Sequence, residues 1–117
     1  MNFTKKFLEE TNKIVEAVNS DKIEQIAHIL KKCRDENGRL FFIGVGGSAA
    51  HCSHAVNDFR KICGFQAFTP VDNVSELTAR INDEGWENSL TLWLKNNNID
   101  PYIGFMTNIF PIWHRWT

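Results

Sequence analysis

The sequence predicts an α/β domain built on a parallel sheet. Three observations carry this reading: an apolar run at Leu40-Phe41-Phe42-Ile43, a glycine-rich turn directly after it, and an amphipathic helix leading to a second strand-like run at Phe65-Gln66-Ala67-Phe68-Thr69. A continuous apolar run is what a parallel strand covered on both faces requires. Strand, turn, helix and strand in that order make a βαβ unit, in which the helix returns the chain so that the two strands run the same way.

Each element follows from spacing. From Phe3 to Val18 the apolar residues Phe3, Phe7, Ile14, Val15 and Val18 recur at helical intervals, and Asn19-Ser20-Asp21 interrupts them. Asp21 with Glu24 has the spacing of a capping box and predicts the start of a second helix, with Ile23, Ile26, Ala27, Leu30 and Cys33 as its stripe. Two helices are thus expected before the first strand. Asn37-Gly38 supplies the stop. After the glycine turn a helix is expected from about Ser48 to Ile62, with Cys52, Ala55, Val56, Phe59 and Ile62 facing inward. Gly64 ends it and Pro70 closes the second strand. Asn73 and Glu76 again have cap spacing, predicting a short helix through Ala79. Asn82 to Gly85 then reads as a polar turn before the apolar Trp86, Leu90, Trp93 and Leu94.

No internal repeat is present, and Asn96-Asn97-Asn98 breaks the pattern. Beyond it Ile103, Phe105, Met106, Ile109, Phe110, Trp113 and Trp116 are crowded together without an assignable period. The chain therefore divides into a domain over 1–98 and an aromatic tail over 99–117.

A length of 117 residues allows one domain at most. The formal net charge of −1 gives no general electrostatic reason to bind nucleic acid or an anionic membrane, so a small molecule or another protein is the expected partner. The opening Met1-Asn2-Phe3-Thr4-Lys5-Lys6 leads into charged residues, which predicts neither a secretory signal nor a membrane span and makes the cytoplasm the expected location. Cys33, Cys52 and Cys63 are odd in number and lack Cys-x-x-Cys spacing, and they read as reduced, partly buried thiols.

The chemistry concentrates at Gly44-Val45-Gly46-Gly47-Ser48, where a strand end meets a helix start. Unpaired backbone N–H groups and the helix dipole favour an anion there. Glycines let the backbone come close to that anion, and the Ser48 hydroxyl adds a donor. The plain alternative is a tight turn that needs positive φ angles. A third reading is the dinucleotide fingerprint, which Gly44, Gly46 and Ala49 satisfy loosely. It also asks for an acidic residue ending the second strand, and the first carboxylate here is Asp72, beyond Thr69-Pro70. On the following helix His51, His54 and Asp58 stand at i, i+3 and i+7, away from the apolar stripe. His54 and Asp58 could share a proton, hold a substrate hydroxyl, bind a metal, or form an ordinary solvated i,i+4 pair.

Taken together, Phe42-Ile43-Gly44-Val45-Gly46-Gly47-Ser48-Ala49-Ala50, His54-Ala55-Val56-Asn57-Asp58-Phe59, Asp72-Asn73-Val74-Ser75-Glu76-Leu77 and Asn82-Asp83-Glu84-Gly85-Trp86 resemble the SIS-domain phosphoheptose (sedoheptulose 7-phosphate) isomerases. The resemblance runs from the N-terminal helices to about Asn98. It implies a flavodoxin-like SIS fold, with a parallel sheet and helices on both faces, and a homotetramer with active sites between subunits. It also implies isomerisation of a ketose phosphate to an aldose phosphate. On this resemblance Gly46, Gly47 and Ser48 hold the sugar phosphate, His54 and Asp58 are catalytic, and Asn82 and Asp83 line the sugar site. No cofactor is required, although some members carry zinc at the positions of His54 and Asp58. The family acid is glutamate, and Asp58 is shorter by one methylene. The family's further strand, second phosphate loop and late catalytic histidine are not recognisable after Asn96, and His114 stands in a different context. The expectation is a SIS fold truncated after its first βαβ unit, with little or no isomerase activity of its own. A non-catalytic sugar-phosphate-binding or oligomerisation module is the alternative.

Overall fold

Leu40 lies beside Ala67 and Phe41 beside Phe68 in a parallel pair of short strands, β1 (Arg39–Phe41) and β2 (Gln66–Phe68). They were located in a computed structural model that describes residues 2–98. Around them the chain forms α1 (Phe3–Ala17), α2 (Ser20–Asp35), α3 (Gly47–Lys61) between the strands, α4 (Val74–Glu84) and α5 (Trp86–Asn96). The chain is mostly helical, with the expected βαβ unit at its centre. The tail over 99–117 lies outside the described residues. Among the described residues no helix is long and apolar enough to cross a membrane.

The core sits between α3 and one face of the sheet. Phe42, Phe65 and Ala67 meet Cys52 and Val56 of α3, and Leu40, Ala55 and Phe59 close around them. Phe59 touches both Phe42 and Phe65, with ring centroids 5.1 and 5.4 Å apart. Side chains alternate along a strand, so Phe41 points the other way. It stacks on Phe68 and meets the edge of Trp93 from α5 at 5.8 Å. The two faces of the sheet are thus covered by different helices, which is why Leu40 to Phe42 is apolar without a break.

Several elements differ from the sequence reading. The second helix is capped by Asn19, whose Oδ1 accepts from the Lys22 amide at 3.0 Å, and Asp21 falls in its first turn. Asn and Asp cap equally well, and the chain uses the earlier one. Ile62, expected inside, is 75 % exposed: it is the C-cap of α3, and at 100° per residue it falls to the side of the arc of Cys52, Val56 and Phe59. The predicted cap at Asn73 is present, its Oδ1 accepting from the Glu76 amide at 3.1 Å. The helix it starts does not stop at Ala79. Arg80 is held by Glu76 at 2.9 Å and by Glu84 at 3.3 Å, one turn to either side, and this bracket carries α4 to Glu84. Asn82 and Asp83 are therefore helical rather than in a turn, and Gly85 alone, at φ 80°, makes the break.

α1 and α2 have the predicted amphipathic stripes but bury no residue. Only the end of α2 reaches the core, through Leu30 and Cys33. Arg34 adds a long-range tie, its Nη1 donating to the Cys63 carbonyl at 3.2 Å.

Candidate functional site

The glycine turn forms where β1 must pass tightly into α3. A Cβ at Gly44 would lie 2.6 Å from the backbone carbon and oxygen of Ser48 and 2.9 Å from Cys52 Sγ, so only glycine fits the approach of strand to helix. Gly46 is the N-cap of α3 and takes φ 61°, ψ −126°, a conformation that costs an L-residue strain. Its carbonyl accepts from the amides of Ala49 at 3.0 Å and Ala50 at 3.4 Å, and the Val45 carbonyl accepts from Ser48 at 3.2 Å. No side chain caps the helix, and among the described residues the amides of Gly46 and Gly47 have no acceptor. A Cβ at Gly46 or Gly47 would meet nothing within 4 Å. The turn thus presents free donors at the positive end of a helix dipole, the kind of place that favours an anion. The half-buried Ser48 stands at the same turn.

At 100° per residue, Gly47, His51, His54 and Asp58 fall along one line of α3, on the side away from Cys52, Val56 and Phe59. His54 Nε2 is 3.0 Å from Asp58 Oδ2, and Asn57 Nδ2 donates to the other carboxylate oxygen at 3.2 Å. The His54 side chain is 76 % exposed and that of Asp58 43 %, so in the single chain the pair faces solvent rather than a closed cleft. Asn82 and Asp83 sit in the last turn of α4, bonded to each other at 2.8 Å and exposed. The structure brings the glycine turn, His54 and Asp58 onto one helix. It shows no contact that draws Asn82 and Asp83 to them.

Zinc needs four ligands, at least three of them from protein at most sites. His54 and Asp58 offer two, and no group of three or more His, Cys, Asp or Glu side chains with metal-holding geometry occurs among the described residues. The pair does not make a zinc site by itself.

The sequence reading missed a polar link on another flank of α3. Ser53 Oγ donates to Asp72 Oδ1 at 2.6 Å, tying the helix to the segment after β2. A shallow groove of about 430 Å³ runs there, lined by Ser53, Val56, Asn57, Arg60, Lys61 and Asp72. Ser53 and Asp72 are separated by a whole strand, and no local spacing signals their meeting. Burial, with a smaller contribution from the Asp72 charge, pushes the Cys52 thiol above its ordinary pKa. All three cysteines are free, and Cys52 stays a protonated, weakly nucleophilic thiol at neutral pH. No protein-family model, curated protein or solved structure matches the chain.

Proposed function

We propose that this chain is a phosphosugar isomerase of the sedoheptulose 7-phosphate type, with little turnover of its own, and with a SIS fold of which residues 39–68 form the first βαβ unit. The observation that carries the reading is the uncapped, open glycine turn at the start of α3 with the His54–Asp58 pair farther along the same helix line. From Gly47 to His54 the helix rises roughly 10 Å, a span comparable with an extended seven-carbon sugar phosphate. A phosphate on the Gly46 and Gly47 amides and the Ser48 hydroxyl then sets the far end of the sugar near the pair.

The reaction moves a proton between adjacent carbons through an enediol. A base takes it from one carbon, a donor steadies the developing oxyanion, and the proton is returned at the neighbouring carbon. Asp58 is the base in this reading. His54, hydrogen-bonded to it, orients the carboxylate and exchanges protons with the sugar hydroxyls. The phosphate is the remote handle whose binding places the carbons.

A second reading, a sugar-phosphate-binding module without turnover, is favoured by the exposure of His54 and Asp58. One experiment separates them: the purified chain is titrated with sedoheptulose 7-phosphate by NMR and assayed for aldose phosphate. Binding with turnover that falls at least about a hundredfold in Asp58→Asn, at unchanged affinity, supports the isomerase. Binding without turnover supports the module, and shifts absent from Gly46, Gly47 and Ser48 defeat both.

A further inference from the structure

The groove beside Ser53 and Asp72 has no part in the isomerase reading. At 100° per residue Ser53, Asn57 and Arg60 share one flank of α3, about a third of a turn from the line of Gly47, His54 and Asp58. The buried Val56 supplies the apolar part of the groove, and Asp72 borders it from the segment after β2. Its volume of about 430 Å³ falls in the range of small-molecule sites, about 300–1,000 Å³. Such a site combines an apolar wall with a few polar groups that fix the ligand's orientation.

The charges say what fits there. Arg34 is paired with Asp35 at 3.3 Å and Arg80 with Glu76 at 2.9 Å, whereas Arg60 and Lys61 have no carboxylate partner among the described residues. The Arg60 guanidinium lies over the Phe68 ring, its carbon 5.6 Å from the centroid. Stacking uses the face of the guanidinium and leaves its edge donors free to grip an oxyanion in two places. Both cations stand in the last turn of α3, where the helix dipole contributes about half a negative charge. Two cations outweigh it, and the groove stays positive at this end. Asp72, at the Ser53 end, already accepts from Ser53 Oγ at 2.6 Å. A carboxylate accepts several hydrogen bonds, so Asp72 keeps room for a donor from a ligand. Along α3 the two ends are roughly 10 Å apart, a span that one small molecule covers.

We propose that this groove is a second small-molecule site, which takes a hydroxylated organic anion with its oxyanion on Arg60 and Lys61 and its hydroxyl groups on Asp72. The inference is independent of the isomerase reading, whose phosphate lies on the glycine turn. Its test is NMR titration of the full chain with gluconate, with glycerol 3-phosphate and with acetate, and circular dichroism to check that each variant is folded. Gluconate and glycerol 3-phosphate are expected to shift the amides of Ser53, Asn57, Arg60, Lys61 and Asp72, and the tighter of the two names the oxyanion. Acetate, which lacks the hydroxyl groups, should bind about fivefold more weakly. Arg60→Gln should raise the dissociation constant about tenfold. Lys61→Gln, at an exposed side chain, should raise it about threefold and serves as the second variant if Arg60→Gln loses its fold. Arg39 is stacked on Phe41 at 5.2 Å and does not line the groove, so Arg39→Gln should leave affinity unchanged. Shifts confined to Gly46, Gly47 and Ser48 overturn the proposal while supporting the glycine turn, and no shifts at all overturn both. Equal weakening by Arg39→Gln and Arg60→Gln overturns it as well, since general charge then accounts for the binding. Acetate as tight as gluconate overturns the role given to Asp72.

Discussion

Replacing Gly44 and Gly47 by alanine separates packing from anion binding within one turn. At Gly44 the added methyl would stand 2.6 Å from the Ser48 carbon and oxygen and 2.9 Å from Cys52 Sγ. The first two are backbone atoms of the first turn of α3 and cannot swing aside. Cys52 is itself buried in the cluster with Val56 and Phe42. Relief requires moving β1 and α3 apart, an overpacking cost of about 1–3 kcal/mol. For a domain of this size that lowers the melting temperature by roughly 5–20 °C. At Gly47 the methyl meets no atom within 4 Å. Gly47 is the first residue of α3, so alanine there should leave stability unchanged or raise it by about 0.4–1 kcal/mol. In the proposed anion site the same methyl stands beside the free amides and crowds a bound phosphate, so phosphate affinity should fall about tenfold or more. Thermal unfolding followed by circular dichroism gives the first pair of values, and phosphate titration by NMR gives the second. A Gly44→Ala protein as stable as wild type would refute the close-approach argument. A Gly47→Ala protein with full phosphate affinity would refute the anion site.

Two further outcomes follow from polar groups outside the turn. Thr69 Oγ1 is buried with no hydrogen-bond partner among the described residues, so Thr69→Val should stabilise the chain by about 1 kcal/mol in urea unfolding; a loss of stability would mean that the hydroxyl is bonded. Asp35 is held below the ordinary aspartate pKa, chiefly by its hydrogen bond from Lys31 at 2.6 Å and also by Arg34. A folded pKa below the unfolded value, about 3.9, means the pair contributes at neutral pH and is lost as pH falls through the lowered value. An NMR titration should place the Asp35 midpoint below the ordinary one, and Lys31→Met should raise it; an unmoved midpoint would count against the pairing.

The βαβ unit was legible because its signals are local and agree with one another. The apolar run, the glycines and the 3.6-residue stripe of α3 each name the same boundaries, and Asn73 and Glu76 name the start of α4. Where the reading slipped, the deciding interaction was one that residue type alone does not rank. Asn19 and Asp21 are equally good caps, and the chain takes the earlier. Asn82-Asp83-Glu84-Gly85 has turn composition, but the grip of Arg80 on Glu84 keeps the first three helical and leaves the break to Gly85. For the site, the sequence places the glycine turn and the His54–Asp58 pair on α3, and the structure brings them onto one line. It could not show that Ser53 reaches Asp72, since that contact depends on how α3 lies across β2.

The brevity of the two strands has a consequence for the order in which the chain folds. Three residues against three cannot hold a parallel pair together, and the ends to be joined are separated by the whole of α3. Closing that loop costs entropy before any strand contact repays it. The return comes from Cys52, Val56 and Phe59, which touch Phe42, Phe65 or Ala67 only once α3 is helical. Strand register is therefore settled by the helix rather than by the strands, and the transition state should contain α3 with both strands seated on it. α1, which contributes nothing to that nucleus, is free to form last.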